Sequence, residues 1–102
     1  LNKDIMIVVT GEFGRTYKIN ANSGRDHWPK LSPLMISGGD FDMGYAVGAS
    51  TSKAEEPKTD PVNPQNLTAT LLKHFGVDQH TQRLDMGGRP RYFVDVGTKS
   101  IL

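Results

Sequence analysis

The sequence predicts a small α/β fold with two or three short strands, one clear helix and a large share of loop. A continuous apolar run at residues 5–9, rich in β-branched side chains, is typical of a buried strand. A capped amphipathic pattern at about residues 64–75 predicts the helix. The 11 glycines and 6 prolines among the 102 residues favour turns and loops between these elements.

Four short apolar segments are the candidate strands. Residues 5–9 are apolar at every position, which predicts a strand buried on both faces, as in the parallel sheet of an α/β protein. Residues 33–37 predict a second short buried strand that ends at Gly38-Gly39. Residues 45–49 predict a third strand or an edge segment, and residues 92–96 predict a short strand in the tail.

The helix has recognisable start and stop residues. Asn63 is a good N-cap, and Pro64 suits the first helical position. Gly76 suits the left-handed position that follows a helix. We therefore place the helix at about residues 64–75, after an exposed loop at residues 50–62. The apolar side chains that share one helix face are Leu67, Leu71, Leu72 and Phe75.

Composition excludes several classes of function. The net charge of +1, without a basic stripe, argues against a nucleic-acid partner. The absence of cysteine excludes disulfides, thiolate metal sites and cysteine nucleophiles. No apolar run approaches the roughly 20 residues of a membrane span.

Five polar residues are the candidates for chemistry. Glu12 directly follows the first strand, and functional loops of open α/β sheets lie at the carboxyl ends of strands. Asp26 and His27 are adjacent in a Gly-flanked loop that could turn both side chains toward one divalent metal ion. Arg15 and Arg25 flank these positions, and a guanidinium matches phosphate or sulfate. Each of the five also has a simpler interpretation as a surface residue.

The other polar residues are weaker candidates for a functional site. His80 is a further candidate ligand, although an ordinary loop histidine is the simpler interpretation, and His74 is a capping or surface residue of the helix. No Gly-x-Ser-x-Gly motif marks a nucleophile. The residues therefore indicate binding groups without a catalytic nucleophile.

Two motifs together resemble a known family. Residues 9–16 (Val-Thr-Gly-Glu-Phe-Gly-Arg-Thr) and residues 24–29 (Gly-Arg-Asp-His-Trp-Pro) look like the C-terminal region of the domain-of-unknown-function 1501 family. That family is sulfatase-like and belongs to the alkaline-phosphatase superfamily. The resemblance continues through the helix to Gly88-Arg89-Pro90 and covers nearly the whole chain.

The resemblance implies a partial alkaline-phosphatase-like sheet and a metal-dependent hydrolysis of phosphate or sulfate esters. Glu12 would take the position of a metal-binding Asp, and His27 would ligate the metal, with Asp26 as a further ligand or as its support. Phe13 stands where the superfamily has a metal-binding His, so one ligand is lost. The metal would be zinc, manganese, calcium or magnesium. Arg15 and Arg25 would contact the anionic substrate.

The superfamily's nucleophile lies N-terminal to the matched region, so the resemblance implies that residues 1–102 are a single C-terminal fragment of a larger domain. We expect packing against the N-terminal remainder of the parent protein, or a homo-oligomer, because the sheet edges would be open. The residues do not indicate a compartment, and the resemblance alone is compatible with export or a periplasmic location. The alternatives are a non-catalytic binding or structural module that lost its metal site, and an unrelated small domain.

Overall fold

The structure is a computed structural model that describes residues 1–102, and the chain divides into two compact units. Unit 1 comprises residues 1–39 and 43–61 and holds three pairs of short strands. Unit 2 comprises residues 40–42 and 62–102 and holds the single helix and one strand pair. Every strand pair is antiparallel, and most of the remaining chain is loop. The elements are β1 (Met6–Thr10), β2 (Gly14–Arg15), β3 (His27–Trp28), β4 (Leu34–Gly38), β5 (Ala49–Ser50), β6 (Pro57–Thr59), α1 (Pro64–His74), β7 (Gln82–Leu84) and β8 (Pro90–Tyr92).

The β1–β4 pair is the longest ladder of unit 1, and it corrects the expectation of a parallel sheet. β1 pairs antiparallel with β4, with Val8 opposite Ile36 and Val9 opposite Met35. Side chains alternate between the two faces of a strand, so continuous apolar sequence places apolar groups on both faces. Unit 1 contains no helix to cover the second face, and Val9 and Met35 are 52% and 58% exposed. The strands therefore form, but β1 is not buried on both faces within its unit.

Steric constraints at the end of β4 require glycine at position 38, the first residue of the Gly38-Gly39 pair. Gly38 has a φ of +79°, and a Cβ at this position would overlap the carbonyl oxygen of Ile5. The next amide, that of Gly39, donates to the carbonyl oxygens of Asn2 (2.8 Å) and Ile5 (2.9 Å). Residues 2–5 thus wrap closely over the end of the strand, which only glycine permits at position 38.

The predicted third strand is wrong in extent. Within residues 45–49 only Ala49 is in a strand, and β5 pairs with β6 inside the segment predicted as an exposed loop. Gly44 and Gly48 have φ values of +89° and +76°, which interrupt an extended backbone over the apolar residues. Short pairing then resumes after Gly48.

The helix confirms the prediction from its local sequence. α1 runs from Pro64 to His74, one residue shorter than the predicted end. The Asn63 side chain accepts from the amides of Gln65 and Asn66, and the Asn66 side chain accepts from the Asn63 amide, which completes a reciprocal capping box. Gly76 follows the helix with a φ of +67°.

The buried side of α1 differs from its apolar stripe. The fully buried residues of the helix are Ala69 and Thr70. The leucines of the stripe are half-buried, and Phe75 is 72% exposed. Val94 is the other buried apolar residue of the chain, so few apolar side chains are removed from water. Much of the predicted apolar face is uncovered within the unit.

The tail strand lies earlier than predicted. β8 is formed by Pro90–Tyr92 and pairs with β7, whereas residues 92–96 were expected to form the strand. The Gly87-Gly88 turn sets this register, because Gly88 has a φ of +75° and its amide donates to the Asp85 carbonyl oxygen (2.9 Å).

The Asp85 carboxylate holds the same turn together. It accepts from the amides of Arg89 and Gly87 (both 2.9 Å) and from the Arg91 guanidinium (3.1 Å). The Arg89 amide is the main cause that holds the pKa of Asp85 below its ordinary value, with the Arg91 guanidinium next. The hairpin therefore favours the ionised form of Asp85.

Candidate functional site

The candidate residues of the N-terminal half lie on one small antiparallel ribbon. β2 and β3 pair so that Arg15 lies directly opposite His27 and Gly14 lies opposite Trp28. The two motifs that were singled out in the sequence are thus brought together in space, one on each strand. We call the segment from Glu12 to Trp28 the β2–β3 ribbon.

Gly14 allows the ribbon to close. Its amide donates to the Leu31 carbonyl oxygen (2.8 Å), and a Cβ on Gly14 would lie 2.8 Å from that oxygen. The Ser32 hydroxyl also donates to the Glu12 carbonyl oxygen (2.8 Å). Glycine is therefore required at position 14 because two backbone segments approach each other closely there.

One face of the ribbon carries the rings of Phe13 and His27 and the Arg15 guanidinium. The rings of Phe13 and His27 meet edge to face, with centroids 4.9 Å apart. The Arg15 guanidinium donates to the Arg25 carbonyl oxygen (3.3 Å). Because Phe13 directly precedes β2, two residues from Arg15, and Arg15 opposes His27, all three side chains lie on the same face.

Asp26 has a different environment from its neighbour His27. Its carboxylate accepts from the Asn20 side-chain amide (3.0 Å), and its own amide donates to the Thr16 hydroxyl (3.1 Å). The Thr16 amide in turn donates to the Asp26 carbonyl oxygen (3.0 Å). Since His27 lies in a strand rather than in a loop, alternation directs the two adjacent side chains to opposite faces.

Glu12 and Arg25 are the freest of the five candidates. Both residues are exposed. Glu12 is fixed through its carbonyl oxygen, which accepts from Ser32, and no hydrogen bond or ion pair holds its carboxylate. The Arg25 guanidinium has no partner either, whereas its carbonyl oxygen accepts from Arg15. Both charged ends are therefore available to a ligand.

The donor types fit a divalent cation, but their number falls short. A carboxylate and an imidazole suit zinc or manganese, and carboxylates alone suit calcium or magnesium. No group of three or more His, Asp or Glu residues in the chain is placed to hold a metal ion. Glu12, Asp26 and His27 therefore do not converge as a complete set, and a metal bound by any of them needs further ligands.

The two remaining histidines have local partners. His80 Nδ1 lies 2.9 Å from Asp78 Oδ1, and the His80 amide donates to the same oxygen (2.9 Å). These contacts, the amide first, hold the pKa of Asp78 below its ordinary value. The His74 ring lies 5.1 Å from the Phe75 ring and 6.5 Å from the Phe41 ring. Both histidines are packed or paired within unit 2.

Unit 2 contains an arrangement that the sequence reasoning missed. Residues 95–102, which we call the strap, run along a row of polar side chains on α1. This row, which we call the polar track, consists of Gln65, Asn66, Thr70 and Lys73. The spacing of positions 66, 70 and 73 places them on one helix face, which is the sequence pattern that could have revealed it.

Each member of the polar track contacts the strap. The Asn66 side-chain amide donates to the Lys99 carbonyl oxygen (2.8 Å), and the Thr70 hydroxyl accepts from the Ile101 amide (2.8 Å). Gln65 accepts from the Asp95 amide and donates to its carboxylate (both 2.7 Å), and Lys73 donates to the Leu102 carbonyl oxygen (2.8 Å). The strap is thus held mainly through its main chain.

Comparisons with known proteins give one result. The model of a protein family described as "Protein of unknown function (DUF1501)" matches residues 1–102. No curated protein and no solved structure matches the chain. No helix of the chain has the length and apolar character needed to cross a membrane.

Proposed function

The chain belongs to the DUF1501 family of proteins of unknown function, and on that premise we propose that it supplies metal-binding and anion-binding groups to a hydrolase of phosphate or sulfate esters. The observation that supports this proposal is the β2–β3 ribbon, which brings Arg15, His27 and the backbone of Arg25 together beside two exposed carboxylates. The nucleophile is not among these residues.

The two arginines would bind the anionic ester. A guanidinium donates two parallel hydrogen bonds to a phosphate or sulfate group, and its charge persists across the physiological pH range. Arg25 has an unengaged guanidinium, and Arg15 is oriented by its bond to the Arg25 carbonyl oxygen. The ribbon would therefore orient the ester rather than cleave it.

Glu12 and His27 would contribute ligands to a divalent cation, which when bound polarises the ester oxygen, whereas Asp26, directed to the opposite face from His27, would support the loop through Asn20. Because these two donors do not form a complete set, the remaining ligands and the nucleophile would come from another polypeptide segment. The exposed face of the β1–β4 pair would pack against that segment, as in an alkaline-phosphatase-like sheet. The N-terminal remainder of a longer parent protein would supply it.

The metal content and metal affinity of the purified chain, and of the longest polypeptide that carries it, test the proposal. We expect Zn²⁺ or Mn²⁺ to bind stoichiometrically to the longer polypeptide, and Glu12→Ala and His27→Ala each to reduce the affinity for the metal at least about tenfold. His80→Ala is the matched control, because His80 is exposed and lies outside the ribbon. An unchanged affinity for the metal in both ribbon variants would refute the metal assignment.

A non-catalytic binding module is the second candidate. The Phe13 ring packs on His27 in place of a further metal ligand, and the guanidinium groups of Arg15 and Arg25 can bind an anion without any metal. This candidate predicts that sulfate or phosphate binding persists in EDTA and is lost in Arg15→Ala and Arg25→Ala. Hydrolysis of a phosphate or sulfate ester by the longer polypeptide, abolished by EDTA, would rule it out.

A further inference from the structure

The polar track of α1 matches the hydrogen-bonding groups of an extended backbone. An amide of Asn66 and an ammonium of Lys73 donate to strap carbonyl oxygens, and the hydroxyl of Thr70 accepts from a strap amide. Thr70 is completely buried under the strap, so its hydroxyl is a fixed acceptor rather than a solvated one. Each group has the polarity that its main-chain partner requires.

Few strap side chains take part in these contacts. The Asp95 carboxylate accepts from Gln65 (2.7 Å), the Thr98 hydroxyl donates to Gln65 Oε1 (3.4 Å), and the Ser100 hydroxyl donates to the Thr70 hydroxyl (3.2 Å). Val96 and Lys99 are exposed. Recognition through the main chain tolerates different side chains, because the N–H and C=O groups are common to all residues except proline at its nitrogen.

We propose that the polar track is a binding site for an extended peptide segment, recognised through its main chain, and that the strap is the occupant held there in cis. In this arrangement the strap competes with any such segment that another polypeptide presents.

The strap is suited to local release. No strap residue is fully buried, and its hydrogen bonds are to polar side chains, so its release breaks mainly polar contacts and exposes only the half-buried apolar side chains of Ile101 and Leu102. Gly97, with a φ of +87°, lies in the turn that the Thr98 amide closes on the Asp95 carbonyl oxygen (3.1 Å), which separates the Asp95 anchor from the Lys99–Leu102 contacts. The helix has its own capping box at Asn63 and does not need the strap to begin.

The test displaces the strap without altering the track. Ile101→Pro in the full chain removes the N–H that Thr70 accepts. A fluorescent peptide with the sequence of residues 95–102 should then bind saturably to this variant, and at least about tenfold more weakly to the wild-type chain, where the strap competes. The same peptide with an N-methyl group at the position of Ile101 should not bind. Adding Asn66→Asp should weaken binding, since it removes the donor to Lys99 but keeps the acceptor used by Asn63.

Several results would overturn the proposal. Equal binding of the normal and N-methylated peptides would show that the polar track does not bind a peptide through its main chain. Equal binding of the normal peptide to wild type and to Ile101→Pro would show the same. If Ile101→Pro loses its helical circular dichroism, amide hydrogen exchange of the wild-type chain tests instead whether the strap can be released. We expect the Ile101 amide to exchange through a local opening with little urea dependence, whereas that of Leu71 follows global unfolding. Identical opening free energies and urea dependences at both amides would exclude a releasable strap.

Discussion

Replacing Thr70 by valine should destabilise the chain, chiefly because the Ile101 amide loses its buried hydrogen-bond acceptor. Valine keeps the shape of threonine but cannot accept from the Ile101 amide, which lies 2.8 Å from the Thr70 hydroxyl. Because Thr70 is completely buried, water cannot take the place of the lost acceptor while the strap is closed. A buried donor left unpaired costs about 1–3 kcal/mol.

Thr68→Val is the matched control for this substitution. Thr68 donates to the carbonyl oxygen four residues earlier, that of Pro64 (3.0 Å), just as Thr70 donates to that of Asn66 (2.8 Å). Thr68 has no bond to the strap, so the difference between the two variants isolates the contacts of Thr70 with Ser100 and Ile101. We expect an excess loss of about 1–2 kcal/mol in Thr70→Val. The free energy of opening the strap sets an upper bound on this loss, because water reaches the Ile101 amide once the strap is open.

Urea denaturation followed by circular dichroism measures the difference. With a slope of about 1–3 kcal/mol per M, the midpoint of Thr70→Val should lie about 0.3–2 M below that of Thr68→Val. Equal midpoints would refute the reasoning, because the buried hydroxyl would then contribute no more than a helix-surface hydroxyl with the same local bond.

Three further predictions concern turns and caps. Gly38→Ala should lower the free energy of unfolding by at least about 2 kcal/mol, because the alanine would have a left-handed backbone and its Cβ would overlap a backbone carbonyl oxygen. Gly11→Ala should leave the stability nearly unchanged, since a Cβ at position 11 would meet no atom within 4 Å. Equal urea midpoints for the two variants would contradict this prediction. Asn63→Ala should lower the free energy of unfolding by about 1 kcal/mol and Asn63→Ser should restore it, as measured by thermal denaturation. The pKa of Asp85 is lowered in the folded chain, so its stabilisation of the β7–β8 hairpin is full above the unfolded value of about 3.9 and is lost as the pH falls through the lower folded value. NMR shifts of the hairpin amides should follow this loss, and Asp85→Asn should abolish the pH dependence.

The helix was predictable because its determinants are local. Asn63, Pro64 and Gly76 act within a few residues of the helix ends, and the structure places each of them in the predicted role. The same is true of the Gly38-Gly39 stop after β4. Where hydrogen-bond partners are near in sequence, the residue types alone indicate the backbone geometry.

The pairing of the strands was not predictable from the same information. Residues 5–9 are apolar at every position, which fits a strand in a parallel sheet and equally a strand whose second face is uncovered. The choice depends on which segment pairs with β1, and that partner, β4, lies beyond the whole β2–β3 ribbon. β2 and β3 are two residues each, too short for an alternating apolar and polar pattern to be recognised in the sequence.

The candidate site was predictable in part. Both motifs were identified as functional candidates, and the opposition of Arg15 to His27 follows only from the ladder. The divergence of Asp26 from His27 follows from a strand where a loop was expected. The polar track was missed because a polar helical face resembles a solvated one, and its ligand, the strap, has no distinctive sequence of its own.

The nesting of the β2–β3 ribbon inside the β1–β4 pair has a consequence for the order of folding. Closing β1 against β4 directly would fix the ends of the entire intervening chain, whereas β2 and β3 close only over residues 16–26. Once the inner strands pair and Gly14 bonds to Leu31, the ends of β1 and β4 are already near each other. We therefore expect the β2–β3 ribbon to form first and the β1–β4 pair to form after it, so that Arg15 and His27 are paired before the outer ladder forms.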